Sequence, residues 1–374
     1  MSIALADDRT VVAKLLEHID RKTTDLSEEV WRERVEHYLS ADRFEAELKV
    51  MRRTPTPFCP SAALPDAGSY VARNAALTPI LAVRGNDGKV CAFRNACRHR
   101  GVRLVDGSGC KKAFTCRYHA WTYSLDGQLR GIPHDYGFPN LDKSKHGLVP
   151  VHTVEKHGLV FVTQDDGSAE LNTDAAIPDF FGPRWRLLSS TEQVFEFNWK
   201  IFVDGLLEGY HIRSTHAQTF YPRQYDNINV VEFFGRNTRV SYPYRVIEKL
   251  RDKPGVQHCA MGVMTQLNHL FPNVSVATFP THMTMAVIEP LTVNRTRLIT
   301  YFLSDRPDGE TIRKARDFVT EGTAEDREMG MAIQCGLASR ANEVFTFGLF
   351  EGGSRHFHRN LAATIETIRL ENAT

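Results

Sequence analysis

Two short cysteine–histidine pairs carry the most distinctive chemistry in this chain. Cys97 and His99 form a C-x-H pair, Cys116 and His119 form a C-x-x-H pair, and sixteen residues separate the two. Two thiolates and two imidazoles on two loops can hold one metal centre. A tetrahedral zinc ion accepts that donor set, but zinc fingers usually group their cysteines together and their histidines together. Here each loop supplies one of each. That alternation suits a [2Fe–2S] cluster in which two cysteines hold one iron and two histidines hold the other.

A second constellation lies in residues 198–216, NWKIFVDGLLEGYHIRSTH. His211 and His216 are five apart, and Glu208 is three before His211. Five residues turn a straight α-helix through about 500°, which leaves the two imidazoles about 140° apart. They meet at one metal only where the helix bends or ends between them, and Ser214 and Thr215 supply an irregularity. Two histidines and a carboxylate with open positions are the donor set of non-haem Fe(II) oxygenases. Taken alone, a pair of histidines at this spacing more often belongs to a surface or a core.

The surroundings of both constellations resemble one family. Arg100-Gly101 after the first histidine, Tyr118 before the second and Trp121 after it resemble the Rieske consensus. Arg117 and Ala120 stand where that consensus usually has Pro and Gly, and neither position is a ligand. Asn198-Trp199-Lys200, Glu208, Tyr210-His211 and His216 resemble, in order and spacing, the mononuclear-iron motif of the Rieske non-haem iron oxygenases. The chain is similar over most of its length to the terminal oxygenase (alpha) subunits of that family.

The resemblance implies cofactors and roles. One Rieske [2Fe–2S] cluster would sit on Cys97, His99, Cys116 and His119. One mononuclear Fe(II) would sit on His211, His216 and a carboxylate from a C-terminal helix. Glu325, Asp326 and Glu328 are the candidates in TAEDREMGMAIQCGL. Asp326 is our choice, because the family usually uses Asp and Gln334-Cys335-Gly336-Leu337 resembles its helix. Thr323-x-x-Asp326 also reads as a capping box that only steadies a helix start. The family forms homotrimers in which an acidic residue carries electrons between subunits. Glu208 matches that bridge, linking His119 of one chain to His211 of the next. Many ring dioxygenases have Asp there, whereas the branch that oxidises quaternary ammonium compounds often has Glu. Asp204, one turn earlier, either supports the site or is solvated.

The expected activity is hydroxylation or demethylation of a small organic substrate with O2. Aromatic-ring dihydroxylation is the alternative, and a cluster-only electron-transfer protein a more distant one. No G-x-G-x-x-G follows a strand, so electrons would come from a separate NAD(P)H-dependent reductase of the flavin or ferredoxin type. Lys111, Lys112 and Arg117 beside the cluster loops would meet an acidic redox partner or form a solvated face. Leu207, Met261, Met264 and Phe279 are the expected substrate-pocket walls. An aromatic cage for a cation is not assignable from the sequence.

The elements that must position these residues read as an α+β protein. Residues 1–44 are expected to form helices packing on the catalytic domain, 45–166 an antiparallel-β Rieske domain, and 167–374 a helix-grip-type catalytic domain. Helices are expected over residues 8–21, Ser27 to Leu39, and Asp42 to Met51. Ile80–Arg84 and Lys89–Arg94 flank Gly85-Asn86-Asp87-Gly88, and Ala120–Ser124 and Gln128–Gly131 flank Leu125-Asp126-Gly127, two hairpin signals. Gly158–Thr163 is a further strand, and Asp165 to Ser168 reads as a linker. Ser275–Ala277, Thr284–Ile288 and Arg297–Leu303 read as strands, and 309–321 and 323–338 as helices.

Composition bounds the class. At 374 residues, 42% apolar and 24% charged, the chain has room for two cores. A net charge of +1 shows no nucleic-acid footprint. The start, MSIALADDRTV, lacks a basic region before an apolar core, and no apolar run has the length of a membrane span. The seven cysteines are odd in number and irregularly spaced, which argues against a disulfide framework and for a cytoplasmic protein. Cys110, on a Gly-rich loop tip, is expected to be a bystander.

Overall fold

A computed structural model describes residues 5–165, 177–255 and 258–371. Asp166, Gly167 and Ser168 of the expected linker lie outside the described residues. Two compact units emerge, one within Arg52–Leu171 and Asp179–Arg186, the other mainly within Met1–Met51 and Leu187–Thr374.

The first unit is a seven-stranded sheet. Its spatial order is Thr56–Pro60, Leu159–Thr163, Pro150–Lys156, Val90–Arg94, Thr78–Arg84, Ser69–Ala75 and Gly107–Cys110. Each neighbour is antiparallel. A small sheet of Phe114–Thr115, Thr122–Tyr123 and Leu129–Gly131 carries the second cysteine–histidine loop. Both expected hairpins are present, and each turn places a glycine at positive φ, Gly88 at 81° and Gly127 at 81°. Leu81, Val83, Phe93, Phe114, Trp121 and Tyr123 form a core that also encloses Cys97 and Cys116. The cluster loops thus hang on a packed β scaffold.

The second unit is built on another seven-stranded sheet. Its order is Arg186–Phe195, Arg295–Ser304, Met283–Thr292, Val274–Thr278, Met264–Leu270, Asn237–Pro243 and Val230–Phe234. Helix α1 (Asp8–Arg21) starts at Asp7, whose carboxylate accepts the Thr10 amide at 2.8 Å. Its apolar stripe, Val11, Val12, Leu15 and Leu16, is buried against Val230, Ile247 and Met264. Helix α2 (Ala41–Arg53) follows. Helices α3 (Trp199–Leu206), α4 (Ile212–Thr215), α5 (Glu310–Leu337) and α6 (Gly352–Glu371) complete this unit.

Two expected elements differ. The helix expected from Ser27 to Leu39 is a strand, Trp31–Arg34, followed by a 3₁₀ turn, Val35–Tyr38. The strand pairs antiparallel with Val344–Phe347. Ser27 caps no helix; its amide and hydroxyl both donate to the Leu349 carbonyl, at 2.7 and 2.9 Å. Pairing with a distant segment outweighs local helix propensity here. The two helices expected over 309–338 are one, α5, of 28 residues. Thr323 therefore opens no helix. Its hydroxyl donates to the Val319 carbonyl at 3.0 Å in mid-helix, which removes the capping-box reading.

Candidate functional site

In the first unit, Cys97 and Cys116 sit in two loops of matching design. The Cys97 amide donates to the Val102 carbonyl and the Gly101 amide to the Cys97 carbonyl, both at 2.8 Å. In the other loop the Cys116 amide donates to Trp121 at 2.8 Å and the Ala120 amide to Cys116 at 2.9 Å. Each loop needs a left-handed residue at the same place, filled by Gly101 at φ 74° and by Ala120 at φ 56°. The non-glycine residue at 120 is thus a local conformational cost.

The two cysteines share one core, and the two histidine rings meet each other. Both cysteines are buried, and the His99 and His119 ring centroids are 4.5 Å apart. His99 stacks on Trp121 with centroids 4.9 Å apart and planes at 8°. Its Nδ1 is buried without a hydrogen-bond partner, a donor position in want of an electrophile. Burial, then His119 and Arg100, hold the His99 imidazole below its usual pKa, so it is neutral and has a lone pair. Tyr123 donates its hydroxyl toward Cys97 Sγ at 3.3 Å while accepting the Arg98 amide at 2.9 Å. These residues fit a cluster of two irons. Cys110 is exposed on Gly107–Cys110 and stands apart from the four.

In the second unit, α3 ends at Leu206, and Glu208 to His211 form a turn. The one-turn helix α4 then begins after His211 and ends before His216. A helix that both starts and stops between the two histidines resolves the angular mismatch of a continuous one. Tyr242 donates its hydroxyl to the Leu206 carbonyl at 2.7 Å, which pins the end of α3.

His211 Nε2 and His216 Nε2 lie 3.2 Å apart, and Asp326 Oδ1 is 3.6 Å from the first and 3.0 Å from the second. All three donor atoms lie within 4.8 Å of one another. The other ring nitrogens are both engaged by carboxylates. Glu208 accepts from His211 Nδ1, and Glu325 accepts from His216 Nδ1 at 2.7 Å. Thr219 donates to the same Glu325 oxygen at 2.5 Å. Fixing Nδ1–H on both rings leaves both Nε2 lone pairs facing one point. Burial depresses both imidazoles, but the carboxylates outweigh it. Glu208 and Asp326 push His211 up to about 9, and Asp326 and Glu325 raise His216, so without a metal the rings hold protons that metal binding at Nε2 displaces. The donor set fits one metal ion.

Three open expectations are decided by the geometry. Glu325 is not an alternative to Asp326, because it lies behind His216 while Asp326 faces the shared point. Of the two roles open to Asp204, the supporting one holds and the solvated one does not. Its carboxylate accepts from Tyr38 at 2.7 Å and from His358 Nε2 at 2.8 Å. Of the four expected pocket walls, only Phe279 lines the cavity described next. Leu207 is core, Met264 packs under α1, and Met261 is exposed.

That cavity, about 580 Å³, opens beside His211, His216 and Asp326. Its floor is the inner face of the sheet, where every second residue is small: Ser275 and Ala277, Thr284 and Ala286. Its roof is one face of α5, with Thr311, Ala315, Phe318, Val319 and Thr323 leading to Asp326. Phe220 lies against His216, ring centroids 4.6 Å apart, and against Phe318 at 5.1 Å. The sequence signal for this site is small residues at strand spacing opposite a helix stripe.

Known proteins agree with this division. A Rieske [2Fe–2S] domain model matches residues 54–142, and a model of the ring hydroxylating alpha subunit catalytic domain matches residues 181–367. The chloroplastic choline monooxygenase of Spinacia oleracea is 27% identical over 314 residues, 76% of this chain and 67% of that protein. The carnitine monooxygenase oxygenase subunit of Escherichia coli K12 is 32% identical over 203 residues, 50% of this chain and 53% of that subunit. The quaternary ammonium Rieske monooxygenase CntA, solved with L-carnitine, has a TM-score of 0.76. It is 20% identical, with 97% of this chain and 99% of that chain covered, a likeness of fold. The cofactors are accordingly a Rieske cluster and a mononuclear iron. With a catalytic-domain model spanning half its length and a Rieske domain before it, the chain belongs to the terminal oxygenase alpha subunits of the Rieske non-haem iron oxygenases.

Proposed function

We propose that this chain is the terminal oxygenase component of a monooxygenase system that acts on a quaternary ammonium compound or a similarly small molecule. The balance is RH + O2 + 2e⁻ + 2H⁺ → ROH + H2O. The electrons come from a separate NAD(P)H-dependent reductase, of flavin or ferredoxin type. The observation that carries the reading is the convergence of His211, His216 and Asp326 at the wall of a largely apolar cavity. An electron carrier with only a cluster has no use for that second site.

Cys97 and Cys116 would hold one iron of the cluster and His99 and His119 the other. His211, His216 and Asp326 would hold the mononuclear iron. When bound, the cluster supplies single electrons and the iron supplies O2 activation. The protein's own work is positional. Glu208 keeps the proton on His211 Nδ1, and Glu325 does so for His216. The aromatic and aliphatic lining limits water at the reacting end. Glu208 would also bridge to His119 of a neighbouring subunit in a homotrimer. In support, Tyr118 beside His119 is 56% exposed, so that edge of the first unit is open. The five cysteines outside the cluster form no disulfide and so suit a reducing compartment, which we take to be the cytoplasm.

The test is substrate-dependent oxygen uptake by iron-loaded protein with a surrogate reductase and NADH. The panel comprises choline, glycine betaine, carnitine and aromatic carboxylates, with products identified by mass. One added oxygen, or loss of a methyl group as formaldehyde, supports the monooxygenase. Two added oxygens on an aromatic would replace it with ring dihydroxylation. No uptake with any of them refutes both.

A further inference from the structure

The cavity lining includes two guanidinium groups, those of Arg223 and Arg245, both exposed to solvent. Their backbones are joined, the Arg245 amide donating to the Arg223 carbonyl at 2.8 Å. Neither side chain is loose. The Arg223 guanidinium lies over the Phe318 ring, 4.2 Å from its centroid. Arg245 lies 5.2 Å from the Tyr221 ring and 5.0 Å from the Tyr225 ring. It also donates Nη2 to the Tyr221 carbonyl at 3.1 Å.

Both are held by rings and a carbonyl, and not by a counter-charge. Among the described residues, no carboxylate oxygen lies within 4.0 Å of either guanidinium. The two acidic residues that line the cavity, Glu208 and Asp326, face the histidines. The lining therefore holds the metal donors and, besides them, two guanidinium groups that no carboxylate pairs. An aromatic wall connects them, running from His216 to Phe220, Phe318 and Arg223 through contacts of 4.6, 5.1 and 4.2 Å.

We infer that Arg223 and Arg245 bind a carboxylate of the substrate, whose oxidised carbon lies at the histidine end of the cavity. A guanidinium presents a rigid fork of donors that matches a carboxylate, and an unpaired one loses little on accepting it. The substrate class is thus a small acid with its reacting C–H bond remote from the carboxylate. Betaine-type zwitterions and aromatic acids both meet that description. Choline, which has an alcohol and no carboxylate, does not. The inference rests on the oxygenase reading for its orientation of the substrate, but the anchor itself is testable by binding alone.

The test is titration calorimetry on the cluster- and iron-loaded protein with acid and amide pairs of equal size. The pairs are carnitine with carnitine amide and benzoate with benzamide, and choline is added as a third probe. In wild type, one acid should bind about tenfold or more tightly than its amide, the scale of a charge-assisted hydrogen bond. Whichever pair shows it identifies the source of the carboxylate. The preference should vanish in the Arg223→Gln/Arg245→Gln double variant and return in large part with Lys at both positions. Equal binding of acid and amide, tighter binding of choline than of either acid, no binding, or a preference that survives the double Gln variant overturns the anchor. Oxygen uptake is measured separately. Charge-dependent binding without any uptake would refute the oxygenase reading and leave the anchor standing.

Discussion

Replacing Glu325 separates a metal ligand from the group that aims one. Glu325 Oε2 accepts from His216 Nδ1 at 2.7 Å and from Thr219 at 2.5 Å, and His216 is 2% exposed. In Glu325→Gln the side-chain amide keeps the volume but exchanges an ionic hydrogen bond for a neutral one. In Glu325→Ala the buried Nδ1–H loses its partner, at a cost of about 1.5–3 kcal/mol for a hydrogen bond to a charged group. That energy is the difference between an imidazole held with Nε2 toward Asp326 and one free to turn. Fe(II) affinity should fall about tenfold in the Gln variant and up to about a hundredfold in the Ala variant, the range for partners of metal-bound histidines. The assay is competition for Fe(II) against a graded series of chelators. The visible spectrum of the cluster, carried by the other unit, serves as the internal control. Asp326→Ala should cost more than either. Unchanged affinity in Glu325→Ala would show that the contact positions nothing. Loss as complete as in Asp326→Ala would make Glu325 a ligand and refute the geometry argued above.

Further expectations follow from other parts of the chain. Glu208→Gln should retain cluster and mononuclear iron yet lose most turnover, because the proposed bridge needs a carboxylate at that place. Single-turnover electron transfer at the wild-type rate would sink the bridge. Ala120→Gly should stabilise the cluster unit by about 1 kcal/mol, since Ala120 holds φ at 56° on an exposed loop. A lower melting temperature would contradict that. His269 and His282 are buried neutral imidazoles, pushed down chiefly by burial to about 3 and about 4. The unfolded chain binds those protons below about pH 6.5 and the folded chain does not. Their contribution is therefore present above pH 6.5 and lost as pH falls toward 4, about 2 kcal/mol per histidine by pH 5. The urea midpoint should drop between pH 7 and pH 5, and drop less in a His269→Asn/His282→Gln variant. A parallel drop in both proteins would refute the assignment.

The cysteine–histidine pairs were legible because each pair is local: the loop geometry is set by neighbours within five residues. The family resemblance added Asp326, which lies too far along the chain for spacing to reach. What the sequence hid were contacts made across the fold. Trp31–Arg34 reads as helix until Val344–Phe347 pairs with it. Glu325 and Asp326 are adjacent in sequence, and nothing local says which will reach Nδ1 and which will face Nε2. The pocket walls failed for a simpler reason. Leu207 and Met264 are large and apolar, which is why they fill core. The cavity exists where Ser275, Ala277, Thr284 and Ala286 are small. Arg223 and Arg245 carry no motif at all, and a shared backbone contact joins the two segments that bring them to the cavity lining.

The residues Asn198-Trp199-Lys200 show how a motif can matter to chemistry without touching it. Asn198 caps α3, its side-chain Oδ1 accepting the Lys200 amide at 3.0 Å. Its side-chain amide donates to Tyr38 at 3.1 Å and to Val293 at 2.7 Å. Trp199 Nε1 and Lys200 Nζ both donate to Glu47 Oε2, at 2.8 and 2.9 Å, and both side chains are fully buried. An ammonium with no water around it is costly unless paired, so Glu47 and Lys200 constrain each other strongly. One turn further on, Asp204 is tied to Tyr38 and His358. Helix α3 is thus fixed at its start and middle by buried polar bonds to α2, the Val35–Tyr38 turn and α6. It then stops at Leu206 under Tyr242. The turn that follows has no freedom to carry Glu208 and His211 elsewhere. Precision at the metal point is set about three turns upstream, so truncating Glu47 should disturb iron binding despite its having no contact with the site.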